Sequence, residues 1–201
     1  GQWRSFQPGV WDGTLLKGKI LGLIGYGAIG QAVAHRARSF GMNILFHQRT
    51  RVDHPDYASL DDLLQAADIV SLHLPLNDDS ERLISETGFA RMKRGALFVN
   101  ASRGRIVDES ALVEALMSGH LAGAALDVFE NEPEVHLALR TMPNVVLTPH
   151  IGGGTRESRH QARCHCVNDV ARVLTGQRPL TPLNAPGDHS IGIIPQTGKR
   201  Q

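Results

Sequence analysis

Hydrophobic residues fall into short continuous runs along the chain, and longer amphipathic stretches separate these runs. Continuous apolar runs are typical of strands buried on both faces, as in a parallel sheet that helices cover on each side. The pattern predicts six strands, at Lys19–Ile24, Asn43–His47, Asp68–Leu74, Ala96–Asn100, Leu121–Val128 and Asn144–Leu147.

The amphipathic stretches predict helices at Ala28–Phe40, Ser59–Ala67, Glu86–Met92, Asp108–Ser118 and Thr155–Leu174. In the first helix we expect an apolar stripe to face the core, formed by Ile29, Val33, Ala37 and Phe40. Strands that alternate with helices predict an α/β fold with a doubly wound parallel sheet over residues 15–176. Such a sheet binds its ligands at the carboxyl ends of its strands.

Composition and charge exclude several classes of function. Hydrophobic residues make up 41% of the chain and charged residues 20%, which is an ordinary balance for a globular domain. The formal net charge of +1 argues against a dedicated nucleic-acid binder. No apolar run approaches the roughly 18 residues of a membrane span. We therefore expect neither nucleic acid nor a membrane as a partner.

The two cysteines, Cys164 and Cys166, stand two residues apart on a predicted helix, where they point to different sides. A disulfide between them is not expected, and this favours a reducing, cytoplasmic location. His160 shares a helical face with Cys164 but not with Cys166, so we also expect no metal site.

A glycine-rich turn, Gly25-Tyr26-Gly27-Ala28-Ile29-Gly30, joins the first predicted strand to the first helix. In this position the GxGxxG pattern is typical of dinucleotide-binding domains of the Rossmann type. Its glycines permit the tight turn, the approach of a pyrophosphate to the backbone, and close packing of helix on strand. The N–H groups that open the helix would bind the phosphates. A glycine turn without a ligand is the alternative, and the flanking strand and helix argue against it.

The end of the second strand indicates which dinucleotide binds. NAD-binding domains place Asp or Glu there, on the ribose 2′-hydroxyl. This chain has Gln48, Arg49, Thr50 and Arg51, and Asp53 lies beyond the expected strand end. Because arginine pairs with a 2′-phosphate that a carboxylate would repel, we expect NADP(H) to be preferred and NAD(H) to be the second candidate. The alternative is that both arginines are solvated surface charges.

Three later segments follow predicted strands: Asn100–Asp108 (NASRGRIVD), Leu126–Pro133 (LDVFENEP) and Thr148–Gly153 (TPHIGG). With the glycine turn and the SLHLPL segment that starts at Ser71, their order and spacing resemble the D-isomer-specific 2-hydroxyacid dehydrogenases. Within that family the chain is most similar to the glyoxylate/hydroxypyruvate reductases, partly through the segment Glu132–His136 and the HQRTR sequence.

The resemblance implies hydride transfer between a nicotinamide and a small 2-oxoacid, which is the expected small-molecule substrate. His150 matches the family's general acid/base, Glu132 the carboxylate that orients it, and Arg103 the arginine that binds the substrate carboxylate. A structural role stays open for each of them, as a histidine bonded to a carbonyl, a loop carboxylate or a strand-capping arginine. Arg105 also competes with Arg103, which matches the motif position.

The glycine turn, the strand ends and the resemblance together predict the cofactor-binding residues. They are Gly25, Tyr26, Gly27, Ala28, Ile29, Gly30, Gln48, Arg49, Thr50, Arg51, His73, Leu74, Pro75, Ala101, Ser102, Arg103, Asp127, His150, Gly152 and Gly153. The resemblance places Asp127 at the nicotinamide end, although an aspartate that closes a strand also suits a local turn.

In the family, residues that precede the dinucleotide-binding domain form most of a substrate domain. We expect residues 1–14 to be a remnant of the inter-domain helix, residues 177–201 to be the returning segment and a tail, and Gly1 to mark a cut in a longer chain. Without an opposing domain the chain is expected to bind NADP(H) but to reduce glyoxylate or hydroxypyruvate poorly or not at all. The alternatives are a cofactor-binding fragment without activity and a nucleotide-sensing protein similar to the C-terminal binding protein corepressors. The resemblance also implies a homodimer.

Overall fold

The computed structural model, which describes Ser5 and residues 12–182, contains a six-stranded sheet. The strands are β1 (Ile20–Ile24), β2 (Asn43–His47), β3 (Ile69–Leu72), β4 (Ala96–Asn100), β5 (Leu121–Leu126) and β6 (Val145–Leu147). All neighbouring strands are parallel, and their order across the sheet is β2-β1-β3-β4-β5-β6. The predicted doubly wound α/β fold is confirmed.

Four helices connect these strands: α1 (Ala28–Ser39), α2 (Leu60–Ala66), α3 (Glu86–Arg91) and α4 (Glu109–Met117). The helix α1 packs on β1 and β2 in a core cluster that includes Leu23, Ala34 and Phe46. The other three helices contribute to a larger cluster that includes Leu64, Phe98 and Leu112. Because strand order reverses at β1, the carboxyl ends of β1 and β3 flank a switch point, where doubly wound sheets bind ligands.

The buried face of α1 differs from the predicted apolar stripe. Gly30, Ala34 and Ala37 are buried, whereas Ile29 is 69% exposed and Phe40, just after the helix, is 64% exposed. The prediction is therefore wrong at both ends of the stripe. The cause is the contact of Gly30 with the turn after β1. Ala34 and Ala37 share the helix face of Gly30, so this contact places them against the sheet.

The chain divides into two compact units, before and after the peptide bond between His150 and Ile151. In the described part of the second unit, one helix is present, α5 (Arg156–Leu174), and the Thr155 hydroxyl accepts the Ser158 N–H at its start. The Asp169 carboxylate accepts the N–H groups of Leu180 and Thr181 at 2.8 and 3.0 Å, and thereby ties the following segment to the helix.

Two further findings concern the described residues alone. None of their helices is both long and apolar enough to cross a membrane. Nor do they contain a group of three or more side chains that could bind a metal ion, although Cys164 Sγ lies 3.5 Å from His160 Nε2 on α5. Of the predicted end segments, only Ser5 and residues 12–14 and 177–182 are described, so the rest of both predictions lies outside the described residues.

Candidate active site

The predicted site residues of the first unit all follow the carboxyl ends of strands. The glycine turn follows β1, residues 48–51 follow β2, residues 73–75 follow β3, residues 101–103 follow β4, Asp127 follows β5, and His150 follows β6. Because the sheet is parallel, these six segments lie along one edge of it. The structure thus brings together residues that are up to 125 positions apart, from Gly25 to His150. Gly152 and Gly153 belong to the second unit.

Two glycines of the turn are required by the protein's own packing. Gly25 has a φ of +96°, and a Cβ atom there would lie 2.3 Å from the His73 carbonyl oxygen. A Cβ atom on Gly30 would lie 2.3 Å from the Gly25 carbonyl oxygen. Because the backbone approaches so closely, no side chain fits at either position, and both must be glycine.

Gly27 differs from these two glycines. Its φ of −75° suits any residue, and a Cβ atom there would meet no protein atom within 4 Å. Gly27 is also the N-cap of α1, where it has no capping side chain, and the first turn of α1 carries no acidic residue. The packing of the chain does not explain a glycine at this position, whereas a ligand that approaches the backbone and the helix N-terminus would.

The side chains after β2 are largely solvated. Arg49 Nη1 lies 3.0 Å from Asp79 Oδ2, and the two side chains are 80% and 71% exposed. Gln48 donates its amide N–H to the Thr50 carbonyl at 3.1 Å, and Arg51 is exposed. Asp79 is not among the predicted site residues. Its sequence signal is its place after β3, since β2 and β3 both pair with β1 and their following loops start at the same edge.

His73, after β3, is a half-buried histidine next to the glycine turn. Its Nε2 lies 2.9 Å from the Ser71 hydroxyl. Burial lowers the pKa of His73 below its ordinary value of 6.5, because the charged imidazolium would lose solvation. His73 is therefore neutral at physiological pH and adds no positive charge to this part of the edge.

A buried asparagine shapes the turn that carries Arg103. Asn100 Oδ1 accepts the Ser102 N–H at 3.0 Å and the Ser102 hydroxyl at 2.9 Å, and Asn100 Nδ2 donates to the Arg103 carbonyl at 3.0 Å. The Arg103 side chain is exposed, and its Nη1 donates to the Ser102 carbonyl at 2.6 Å. The competing Arg105 instead pairs with Glu81. Of the two candidates, Arg103 is the one whose guanidinium forms no ion pair with another described residue.

The predicted catalytic pair, His150 and Glu132, is in direct contact. His150 Nδ1 lies 2.9 Å from Glu132 Oε2, and Glu132 Oε1 accepts the Phe129 N–H at 3.1 Å. His150 has a φ of +52° and donates its own N–H to the Thr148 carbonyl at 3.0 Å. We call residues 129–136 the Glu132 loop.

The Glu132 carboxylate is stabilised in its ionised form. The hydrogen bond from His150 lowers the pKa of Glu132 most; partial desolvation opposes it, and the Phe129 N–H and the Arg103 charge lower the pKa further. An ionised carboxylate bonded to Nδ1 orients the imidazole, so that its Nε2 can exchange a proton with a substrate.

Asp127 is buried at the end of β5, where its N–H donates to the Asn100 carbonyl at 2.9 Å. The Thr148 hydroxyl donates to Asp127 Oδ1 at 2.5 Å. Sequence reasoning assigned no role to Thr148, although this residue belongs to the quoted TPH segment. Thr148 thus connects Asp127, at the end of β5, to the segment that carries His150.

Residues 1–152 match the sequence profile of the NAD binding domain of the D-isomer specific 2-hydroxyacid dehydrogenases. The chain belongs to this family. The parallel sheet and its glycine turn therefore correspond to the NAD binding domain of this family, and the resemblance inferred from the motifs is confirmed.

Individual relatives agree with this membership. The chain is 43% identical to a glyoxylate reductase of Thermococcus litoralis, over 92% of this chain and 59% of the relative. It is also 43% identical to glyoxylate/hydroxypyruvate reductase B of Citrobacter koseri, over 88% of this chain and 57% of the relative. A solved structure of a Thermus thermophilus protein has a TM-score of 0.87 at 45% identity, over 92% of this chain and 60% of that one. The chain spans about three fifths of the length of these family members.

Proposed function

We propose that this chain is the dinucleotide-binding part of a reductase that acts on small 2-oxoacids of the glyoxylate and hydroxypyruvate type. The observation that carries the proposal is the hydrogen-bonded pair of His150 and Glu132 at the same sheet edge as the glycine turn. Carbonyl reduction needs a proton donor beside a nicotinamide, and this edge offers a place for both. Two relatives with glyoxylate reductase in their names support the substrate class.

The glycine turn and the first turn of α1 would hold the pyrophosphate, where the open space at Gly27 fits a phosphate group. Residues 73–75 and 101–103 would line the cleft, Asp127 would hold the nicotinamide end, and the resemblance adds Gly152 and Gly153. A bound nicotinamide dinucleotide supplies the hydride in reduction and accepts it in oxidation. The remaining steps belong to side chains of the protein.

In the reducing direction, Arg103 binds the substrate carboxylate and polarises the adjacent carbonyl group. His150 donates a proton from Nε2 to the carbonyl oxygen. The Glu132 carboxylate accepts a hydrogen bond from the Nδ1–H of His150 and another from the Phe129 N–H. Because its pKa is lowered, Glu132 stays ionised around neutral pH and keeps the imidazole in one orientation.

The cofactor preference that we propose is for NADP(H). Arg49 is 80% exposed and pairs with Asp79 at the surface, and such contacts contribute about 1 kcal/mol or less. A 2′-phosphate can therefore displace Asp79 from Arg49 at small cost. Titration of the purified chain with NADPH and NADH, followed by fluorescence, tests the preference. Tighter binding of NADH would contradict it.

We expect the purified chain by itself to reduce 2-oxoacids poorly or not at all. The side chains of His150 and Glu132 are 49% and 37% exposed, and Arg103 is exposed as well. Water at these groups weakens their electrostatic effect on the reaction. The relatives are named as reductases, so neither an inactive fragment nor a corepressor-like binding protein is favoured for the whole protein.

A screen of 2-oxoacids separates these cases. It compares this chain with a chimera that adds the parts of the Thermococcus litoralis glyoxylate reductase outside the match. Turnover by the chimera alone is the expected result. Fast turnover by this chain would contradict the need for an opposing domain, and no turnover by either would contradict a reductase.

We also propose a homodimer, supported by the family resemblance, and a cytoplasmic location, supported by the free thiols of Cys164 and Cys166. Sedimentation equilibrium of the purified chain tests the dimer. A monomer at all accessible concentrations would contradict it.

A further inference from the structure

The middle of the Glu132 loop lies on the surface, although Phe129 is buried in the core and Val135 packs against the core. Residues 131–134 are all exposed, so apolar burial does not fix the position of Glu132. The Glu132 carboxylate nevertheless needs a defined position, because it lies 2.9 Å from Nδ1 of His150. Exposed loop segments with few buried contacts open easily. Polar contacts that reach both sides of Glu132 would supply what the packing of Phe129 and Val135 does not.

One carboxylate outside the loop contacts both of its ends. Glu109, the first residue of α4, accepts the Glu130 N–H at 2.9 Å through Oε2 and the His136 N–H at 3.1 Å through Oε1. These two N–H groups stand on either side of Glu132 in the chain. Hydrogen bonds from backbone N–H groups to a carboxylate are stronger than those between neutral groups.

The contact between α4 and the loop is reciprocal. Glu130 Oε2 accepts the Glu109 N–H at 3.3 Å, and Glu130 Oε1 lies 2.9 Å from Arg82 Nη2. The backbone also approaches closely at the start of the loop, because a Cβ atom on Gly104 would lie 1.9 Å from the Phe129 carbonyl group. These contacts fix the start of the loop at Phe129 and Glu130. Glu109 also binds the His136 N–H, so it contacts the loop on both sides of Glu132.

We propose that Glu109 is a positioning residue, which closes the Glu132 loop by binding its two flanking N–H groups and thereby places the Glu132 carboxylate on His150. The proposal rests on the proposed role of Glu132 and His150. A simpler role exists for Glu109, since an acidic residue in the first turn of a helix stabilises the helix dipole. That role would be confined to α4 and would not alter Glu132.

The test measures Glu132 itself in the purified chain, without any need for activity. The carboxyl carbon of Glu132 is titrated by NMR, and amide hydrogen exchange is followed at Glu130 and His136. In Glu109→Ala the pKa of Glu132 should rise toward its ordinary value of 4.5, and exchange at the two amides should accelerate about tenfold or more. Glu109→Gln keeps one acceptor oxygen and should give an intermediate result.

The control is Glu114→Ala, which removes an exposed carboxylate from the same helix and should change neither readout. An unchanged pKa of Glu132 in a folded Glu109→Ala or Glu109→Gln protein would overturn the proposal. Loss of the fold in both Glu109 variants would also overturn it, because the residue would then support the whole domain. Failure of the proposed reductase function would show as absent turnover in the chimera and would leave these NMR readouts unaffected.

Discussion

The glycine turn (residues 25–30) and the Glu132 loop (residues 129–136) lie at the same edge of the sheet and are held in place in different ways. In the turn, backbone touches backbone, and a Cβ atom on Gly25 or Gly30 would lie 2.3 Å from a carbonyl oxygen. In the Glu132 loop, side-chain carboxylates bind N–H groups, through Glu109 at the two ends and Glu132 within.

This difference predicts which property of the protein a substitution in each region will change. The sterically confined turn tolerates no added atom at Gly25 or Gly30, but it does not depend on charge. A loop held by carboxylates can be altered one hydrogen bond at a time, and its effect on His150 can be lost while the fold survives. Substitutions in the turn should therefore change stability or cofactor affinity, and substitutions in the loop should change turnover.

The largest effect is expected for Glu132→Gln in the chimera with the Thermococcus litoralis segments. Turnover should fall by about 10²–10⁴-fold, because the amide can leave His150 in the wrong tautomer or orientation. The dissociation constant of the cofactor should stay the same. The matched control is Glu134→Gln, which removes a neighbouring exposed carboxylate and should keep full turnover. Equal losses of turnover in both variants would show that Glu132 has no role beyond that of any carboxylate in the loop.

Gly25→Ala should cause the largest loss of stability in the turn. The added Cβ atom combines a φ of +96° with a contact of 2.3 Å to backbone, which together should cost about 3 kcal/mol of unfolding free energy. Urea denaturation of the purified chain measures it. Gly95→Ala is the control, since Gly95 has a φ of +81° but an open Cβ position, and it should cost about 1 kcal/mol. Similar losses in both variants would mean that the backbone contact adds nothing.

Gly27→Ala should instead weaken cofactor binding with little change in stability. The Cβ atom meets open space and the φ of −75° is unstrained, so the unfolding free energy should change by less than about 0.5 kcal/mol. A methyl group placed against the pyrophosphate should raise the dissociation constant of NADPH by about tenfold or more. Unchanged affinity would argue that no phosphate approaches this residue.

Local sequence signals predicted the glycine turn well, because its three glycines, strand and helix are contiguous. Glu109 and Asp79, whose partners are distant in the sequence, were not predicted. Glu109 is 21 positions from Glu130, and Asp79 is 30 positions from Arg49, so only the tertiary fold brings these partners together. The stripe of α1 was also mispredicted, because backbone contact at Gly30, rather than the size of Ile29, decides which side faces the sheet.

Asp79→Asn tests whether the charge of the Arg49–Asp79 pair affects cofactor binding, although the glycine turn itself does not depend on charge. Removal of this carboxylate frees Arg49 and should tighten NADPH by about threefold, with a smaller change for NADH, as expected for an exposed ion pair. Parallel titrations with both cofactors measure the ratio of their affinities. Asp78→Asn, one residue earlier, is the control for net charge. An identical change in both variants would assign the effect to net charge alone.

The smallest expected effect is a difference in how the two regions respond to acid. His73 beside the turn and Glu132 in the loop both have a lowered pKa in the folded protein, so the unfolded chain binds more protons in each case. Stability should fall with decreasing pH below about 6.5 because of His73, and again below about 4.5 because of Glu132. Urea midpoints of the wild type, His73→Gln and Glu132→Gln, measured from neutral pH down to below about pH 4.5, separate the two regions. His73→Gln should flatten the upper part of the profile only and Glu132→Gln the lower part only, whereas one variant that flattened both would show that the turn and the loop titrate as a single unit.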